Sequence, residues 1–125
     1  MTDSPTVRPA TADDLSRFYV GDMQPKAPLP TVEAWVGELD GEVIAVGGVN
    51  HRRGWLEAFY DCSEKARQFP MDLYRASRKF MASLPKDRLV YGLHDSREPG
   101  GARWMQSLGF KPVEGREGLY RLWRD

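Results

Sequence analysis

Residues 38–48 read Glu38-Leu39-Asp40-Gly41-Glu42-Val43-Ile44-Ala45-Val46-Gly47-Gly48. Asp-Gly is the strongest two-residue hairpin signal, because a type I′ turn needs positive φ at both central positions. Apolar and β-branched residues flank it, so Val32–Leu39 and residues 42–49 are expected to pair as antiparallel strands. Gly47 and Gly48 mark a bulge or a close approach of backbones. A polar turn over residues 51–54, with His51 in it, leads into Trp55–Cys62. That aromatic-rich run suits the centre of a sheet and completes a three-stranded meander.

Outward from the hairpin the chain alternates between two periodicities. Thr6–Pro9 is a short opening strand. Thr11 and Asp14 form a capping box for a helix whose apolar stripe is Leu15, Phe18 and Tyr19, ending near Gly21. Pro25, Pro28 and Pro30 make residues 24–31 a loop. The longest helical signal lies within residues 64–84, split by Pro70, with Leu73, Ser77, Phe80 and Leu84 on one face. Arg75, Arg78 and Lys79 lie away from that stripe, as a solvated face. Residues 88–93 read as a buried strand. Residues 98–108 read as a helix with Ala102, Met105 and Leu108 inward and Gly109 ending it. Residues 110–113 and 118–123 close the chain as two strands. The order β-α-β-β-β-α-β-α-β-β predicts an α/β fold with helices on a mixed sheet.

Composition narrows the function. The 125 residues have room for a single domain, residues 1–125, and the hydrophobic share of 41% excludes general disorder. No apolar run approaches the ~20 residues that span a bilayer, and residues 1–5 lack the features of a signal peptide. These features point to a protein of the cytoplasm with no membrane partner. Cys62 stands alone, so no internal disulfide is expected, and it reads as a small buried hydrophobe. The two histidines are far apart, which argues against a metal site. Net charge is zero but uneven: residues 1–50 hold 3 Lys/Arg against 8 Asp/Glu, and residues 51–125 hold 15 against 10. The basic residues are interleaved with acids, which argues against nucleic acid as a partner. A weak attraction between two parts of one domain and a basic rim around an anionic ligand both fit the pattern. Trp35, Trp55, Trp104 and Trp123 read as core and sheet-edge packing rather than a base-stacking platform.

Three stretches taken together resemble the GNAT superfamily of N-acetyltransferases. The opening Val7-Arg8-Pro9-Ala10-Thr11-Ala12-Asp13-Asp14-Leu15 is similar to the family's first strand and helix. Residues 38–48 are similar to its central hairpin. Ala102-Arg103-Trp104-Met105-Gln106-Ser107-Leu108-Gly109-Phe110 resembles its last helix, ending in Leu-Gly-Phe. More narrowly, the compactness and the proline-rich loop resemble short GNAT-like proteins of tailed bacteriophages, including internal virion proteins. The resemblance implies a mixed central sheet whose parallel strands, Trp55–Cys62 and residues 88–93, splay apart to leave a cleft. It implies acetyl-CoA as cofactor and a small-molecule or protein amine as acceptor. Coenzyme A would then contact Phe59, Tyr60 and Asp61 along a strand edge, and Arg67, Gln68, Phe69 and Met71 at the main helix. Glu57 is the candidate general base, since a carboxylate can deprotonate an ammonium directly or through water. An ion pair with Arg52 or Arg53 is the plainer reading of that residue.

Two features depart from the family pattern. Its pyrophosphate loop is usually Arg/Gln-x-x-Gly-x-Gly/Ala, whereas Ser63-Glu64-Lys65-Ala66-Arg67-Gln68-Phe69-Pro70-Met71-Asp72 has no glycine. Pro70 also has no N–H to donate, and Glu64 and Asp72 oppose a phosphate. Met105 stands where many members carry a tyrosine that protonates the leaving thiolate, and methionine has no proton to give. Asp95 loosely matches an asparagine after the family's fifth strand. Two readings stay open. One is an acetyl-CoA-dependent N-acyltransferase with a degenerate cofactor loop. The other is an inactive GNAT-fold phage protein, a virion component or host-interaction module with phage or host proteins as partners, in the virion or host cytoplasm.

Overall fold

Asp40 at φ 50° and Gly41 at φ 81° form the expected tight turn, and the strands on either side pair from it. The computed structural model describes residues 4–18, 32–94 and 101–123. Its elements are β1 (Thr6–Pro9), α1 (Ala12–Phe18), β2 (Val32–Leu39), β3 (Glu42–Arg52) and β4 (Trp55–Cys62). A 3-10 turn, Glu64–Gln68, precedes α2 (Pro70–Ser83), β5 (Leu89–Leu93), α3 (Gly101–Ser107), β6 (Phe110–Pro112) and β7 (Leu119–Leu122). The strands form one seven-stranded sheet in the order β1-β2-β3-β4-β5-β7-β6. Every neighbouring pair is antiparallel except β4–β5, which is parallel. Among the described residues no helix is long and apolar enough to cross a membrane.

One register slip feeds both faces of the sheet. Gly37 lies opposite Ala45, but Glu38 lies opposite Val43, so Ile44 is an extra residue on β3. A bulge of this kind reverses the alternation of side chains. Val43 and Val46 therefore join Leu15 and Val36 beneath α1, while Ile44 and Ala45 join Trp35 and Leu73 beneath α2. The bulge is thus not at Gly47 and Gly48, which serve the other expected purpose, close approach. A Cβ on Gly47 would stand 2.6 Å from the Trp35 ring, and one on Gly48 would stand 2.3 Å from the Glu33 carbonyl.

Local signals set the helix starts. The Thr11 N–H donates to Asp14 Oδ2 at 2.8 Å, and the Asp14 N–H donates back to Thr11 Oγ1 at 3.2 Å. Arg8 adds two charge-assisted bonds to the same carboxylate, at 2.6 and 2.9 Å. Asp14 is buried, and these bonds, Arg8 foremost, hold its carboxyl well below the usual carboxylate range. Pro70 takes the first position of α2, where its missing N–H removes no helical bond. Leu73, Ser77, Met81 and Leu84 are buried along the α2 stripe, and Arg75, Arg78 and Lys79 are exposed as expected.

Several expectations are corrected. His51 lies inside β3 rather than in a turn, with Nε2 2.7 Å from Glu33 Oε1, because the β3–β4 ladder extends to Arg52↔Trp55. The strand after α2 starts at Leu89 and buries only one side. Val90 and Gly92 face the core, whereas Leu89 and Leu93 are exposed, as period-two alternation requires. The last two strands are shorter than expected, and Gly109, at φ 100°, ends the helical segment before them. Tyr19, Gly21, residues 24–31, Asp95 and residues 98–100 lie outside the described residues.

Candidate functional site

The parallel strands β4 and β5 pair over four residues, from Trp55↔Leu89 to Ala58↔Gly92, and then part. β4 runs on through Phe59, Tyr60, Asp61 and Cys62, held on its other side by Gly48, Gly47, Val46 and Ala45 of β3. β5 instead turns toward β7: Leu93 pairs with Leu119, and the His94 N–H donates to the Gly118 carbonyl at 2.8 Å. One edge of each strand is thus committed elsewhere, and a cleft of about 790 Å³ opens between them. Small-molecule sites commonly occupy about 300–1,000 Å³.

The cleft is lined from both faces of the sheet. Phe18 of α1, with Phe59 and Asp61, comes from one side; Tyr60, Cys62, Leu73, Ser77 and Met81 come from the other. Arg67 borders it from the 3-10 turn, and Trp104 and Met105 border it from α3. On the α2 side the rings form a continuous chain. Trp35 lies 6.0 Å from Tyr60, Tyr60 stacks on Trp104 at 4.9 Å, and Tyr74 meets Trp104 edge-on at 6.0 Å. Burial pushes the Tyr60 phenol up, and Cys62 beside it adds to the shift.

The expected site residues separate into three groups. Phe59, Tyr60, Asp61 and Arg67 border the cleft. Gln68, Phe69 and Met71 are not among its lining; Phe69 packs toward Trp35 and Leu73, and Met71 is exposed. Glu57 stands one residue before the parting point, on the α1 face by alternation, and the ion-pair reading of it is realised. Arg52 Nε and Nη2 donate to its Oε1 at 3.0 and 2.7 Å. Lys65 is engaged with Glu42 at 2.7 Å, an exposed pair that joins the two oppositely charged stretches of the chain.

Cys62 is exposed at the cleft rather than buried, because it ends β4 beyond the reach of β5. Trp123 is also exposed, with the Arg121 guanidinium 4.6 Å from its ring. Sequence reasoning passed over two residues. His94 lies at the carboxyl end of β5, a place where α/β sheets commonly take ligands, and that position was the available signal. Trp104 reads as packing from its spacing alone, yet its buried Nε1–H has no acceptor among the described residues.

No protein-family model and no curated protein matches the chain. Solved structures do. Ard1 of Thermoplasma volcanium superposes with a TM-score of 0.65 at 12% identity, covering 98% of this chain and 97% of that one. A GNAT-family acetyltransferase of Streptococcus pneumoniae gives 0.62 at 12%, covering 94% and 96%. An acetyltransferase of Agrobacterium tumefaciens str. C58 gives 0.60 at 16%, covering 99% and 93%. At such identities the likeness speaks for architecture alone. The chain has the GNAT acyltransferase fold, a mixed seven-stranded sheet parted between its fourth and fifth strands.

Proposed function

We propose that this chain acts as a GNAT-type N-acetyltransferase, taking acetyl-CoA on the α2 side of the cleft and an amine from the α1 side. The observation that carries this reading is that the cleft is lined from both faces of the sheet. Two ligands entering from opposite sides can then meet where the strands part, which supplies the proximity a two-substrate transfer needs. Coenzyme A, when bound, supplies an acetyl thioester. Arg67, which borders the cleft, is the cation proposed for its phosphates, and the edge of β4 past Ala58, where the ladder with β5 has ended, suits its amides. Glu57, next to the parting point, is the carboxylate proposed to take the amine proton, with both Arg52 bonds ending on Oε1 and neither on Oε2.

A second reading has its own support. The start of α2 offers phosphate no glycine and no N–H from Pro70, and its N-cap makes no side-chain bond. Met105, in place of a proton donor, packs its methyl group over Gly92. These features favour a GNAT-fold protein whose catalysis is lost or weakened, the reading under which it would serve as a phage virion component or host-interaction module. Thermal denaturation with increasing acetyl-CoA separates the readings. At 100 times its dissociation constant a native-state ligand stabilises by about 2.7 kcal/mol. A melting temperature that climbs with acetyl-CoA supports the transferase reading; no change up to millimolar acetyl-CoA refutes it.

A further inference from the structure

α1 packs on its face of the sheet over β2 and β3, around Val36 and Val46, with Phe59 of β4 at the margin. Beyond that margin the same face carries two rows of side chains. Trp55 of β4 lies opposite Leu89 of β5, and the antiparallel register brings Trp123, two residues past Arg121, alongside Leu89. In the next row Glu57, Tyr91, Arg121 and Lys111 follow one another across β4, β5, β7 and β6. Leu89 and Trp123 are exposed; Trp55 and Tyr91 are half-buried and meet edge-on at 5.7 Å. The Trp55↔Leu89 pair begins the β4–β5 ladder, so these rows sit at the opposite end of the two strands from the cleft.

The charges in the second row are unbalanced. Lys111 and Arg121 lie directly opposite each other, an arrangement in which like charges repel. Neither is paired with a carboxylate among the described residues, and Glu57 is engaged by Arg52 at 2.7 Å. Both cations lean on Trp123 instead, with Arg121 Cζ 4.6 Å and Lys111 Nζ 5.8 Å from the ring centroid. Arg121 Nε is buried without an acceptor, which costs stability unless a partner supplies one.

We propose that this face is a docking surface for an acidic segment of a partner protein: its carboxylates bond Arg121 and Lys111, and an apolar side chain of the same segment covers Leu89 between Trp55 and Trp123. The carboxylate relieves the repulsion across β6 and β7 and supplies the acceptor that Arg121 lacks. Tryptophan, tyrosine and arginine are the residue types that dominate the binding energy of protein interfaces. A protein fits this face better than a nucleic acid. The chain carries no net positive charge, the apolar row centres on a leucine, and the Trp123 ring already carries a guanidinium in place of a base. The proposal is independent of the transferase reading.

The test is fluorescence polarisation with three labelled probes: a peptide alternating glutamate and leucine, its lysine–leucine counterpart, and an oligo-dT strand. Far-UV circular dichroism confirms that each variant is folded. Wild type should bind the glutamate–leucine peptide, more weakly as salt is raised, and should not bind the lysine–leucine peptide. Arg121→Gln and Lys111→Gln should each weaken binding about tenfold, the size of a lost charge-assisted hydrogen bond. Leu89→Ser should weaken it at every salt concentration. Arg75→Gln, an exposed position on α2, should leave it unchanged. No binding of the glutamate–leucine peptide overturns the proposal, as does equal binding of the lysine–leucine peptide. Tighter binding of oligo-dT, or a loss in Arg75→Gln equal to that in Arg121→Gln, overturns it as well.

Discussion

Replacing Gly47 with alanine pushes a methyl group into the ring of Trp35. The new Cβ would stand 2.6 Å from ring carbons Cε2 and Cζ2 and 2.7 Å from Nε1. Carbon atoms rest at about 3.5–4.0 Å, so the ring must retreat by about 1 Å. Trp35 is only 5% exposed and has Tyr60 beside it at 6.0 Å, so little room is available. Overpacking of this kind destabilises by about 1–3 kcal/mol. Alanine in place of glycine within a strand returns about 0.5–1 kcal/mol through the unfolded chain. The net expectation is a loss of ~1–2 kcal/mol, or roughly 3–10 °C in melting temperature for a chain of this size. Urea unfolding followed by circular dichroism measures it, and a double-mutant cycle with Trp35→Phe assigns the cause. The smaller phenyl ring should absorb part of the Gly47→Ala penalty. A neutral or stabilising Gly47→Ala, or a penalty that is unchanged in the Trp35→Phe background, would refute the steric argument.

Gly41→Ala should act through the backbone alone, since nothing lies within 4 Å of its added Cβ while φ is +81°; a loss of ~1 kcal/mol in urea unfolding is expected, and less for Gly41→Asn. Asp14→Ala removes the acceptor of the Thr11 and Arg8 bonds and should lose ~1–2 kcal/mol at pH 7. The Asp14 carboxyl titrates lower in the native state than in the unfolded chain, so its contribution is complete above the ordinary carboxylate value near 4. It is lost as pH falls from there toward the native value, where the unfolded state binds the extra proton. The gap between wild type and Asp14→Ala should therefore be flat from neutral pH to about 5 and shrink below about 4; a gap that widens on acidification would contradict the ion-pair account.

Much of the fold is legible because its determinants are neighbours in the chain. Asp40-Gly41 sets a hairpin, Thr11 and Asp14 cap a helix, Pro70 begins one, and Gly109 ends one. Each depends on the conformational preferences of a few adjacent residues, which are the same before and after the chain collapses. The ion pair between Arg52 and Glu57 was equally within reach, because both flank one tight turn. The site is another matter. Its opening lies where the β4–β5 ladder ends after Ala58 and Gly92, while β3 goes on holding the outer edge of β4 and β7 the outer edge of β5, all pairings between segments distant in the chain. The extra residue at Ile44 is visible only against the register of β2, yet it decides which valines meet α1 and which residues meet α2. Cys62 is exposed, His94 borders the cleft and Trp104 reaches Tyr60 for the same reason. Local propensity determined the elements; the pairing of edges far apart in sequence determined the gap between them, and with it which side chains meet there.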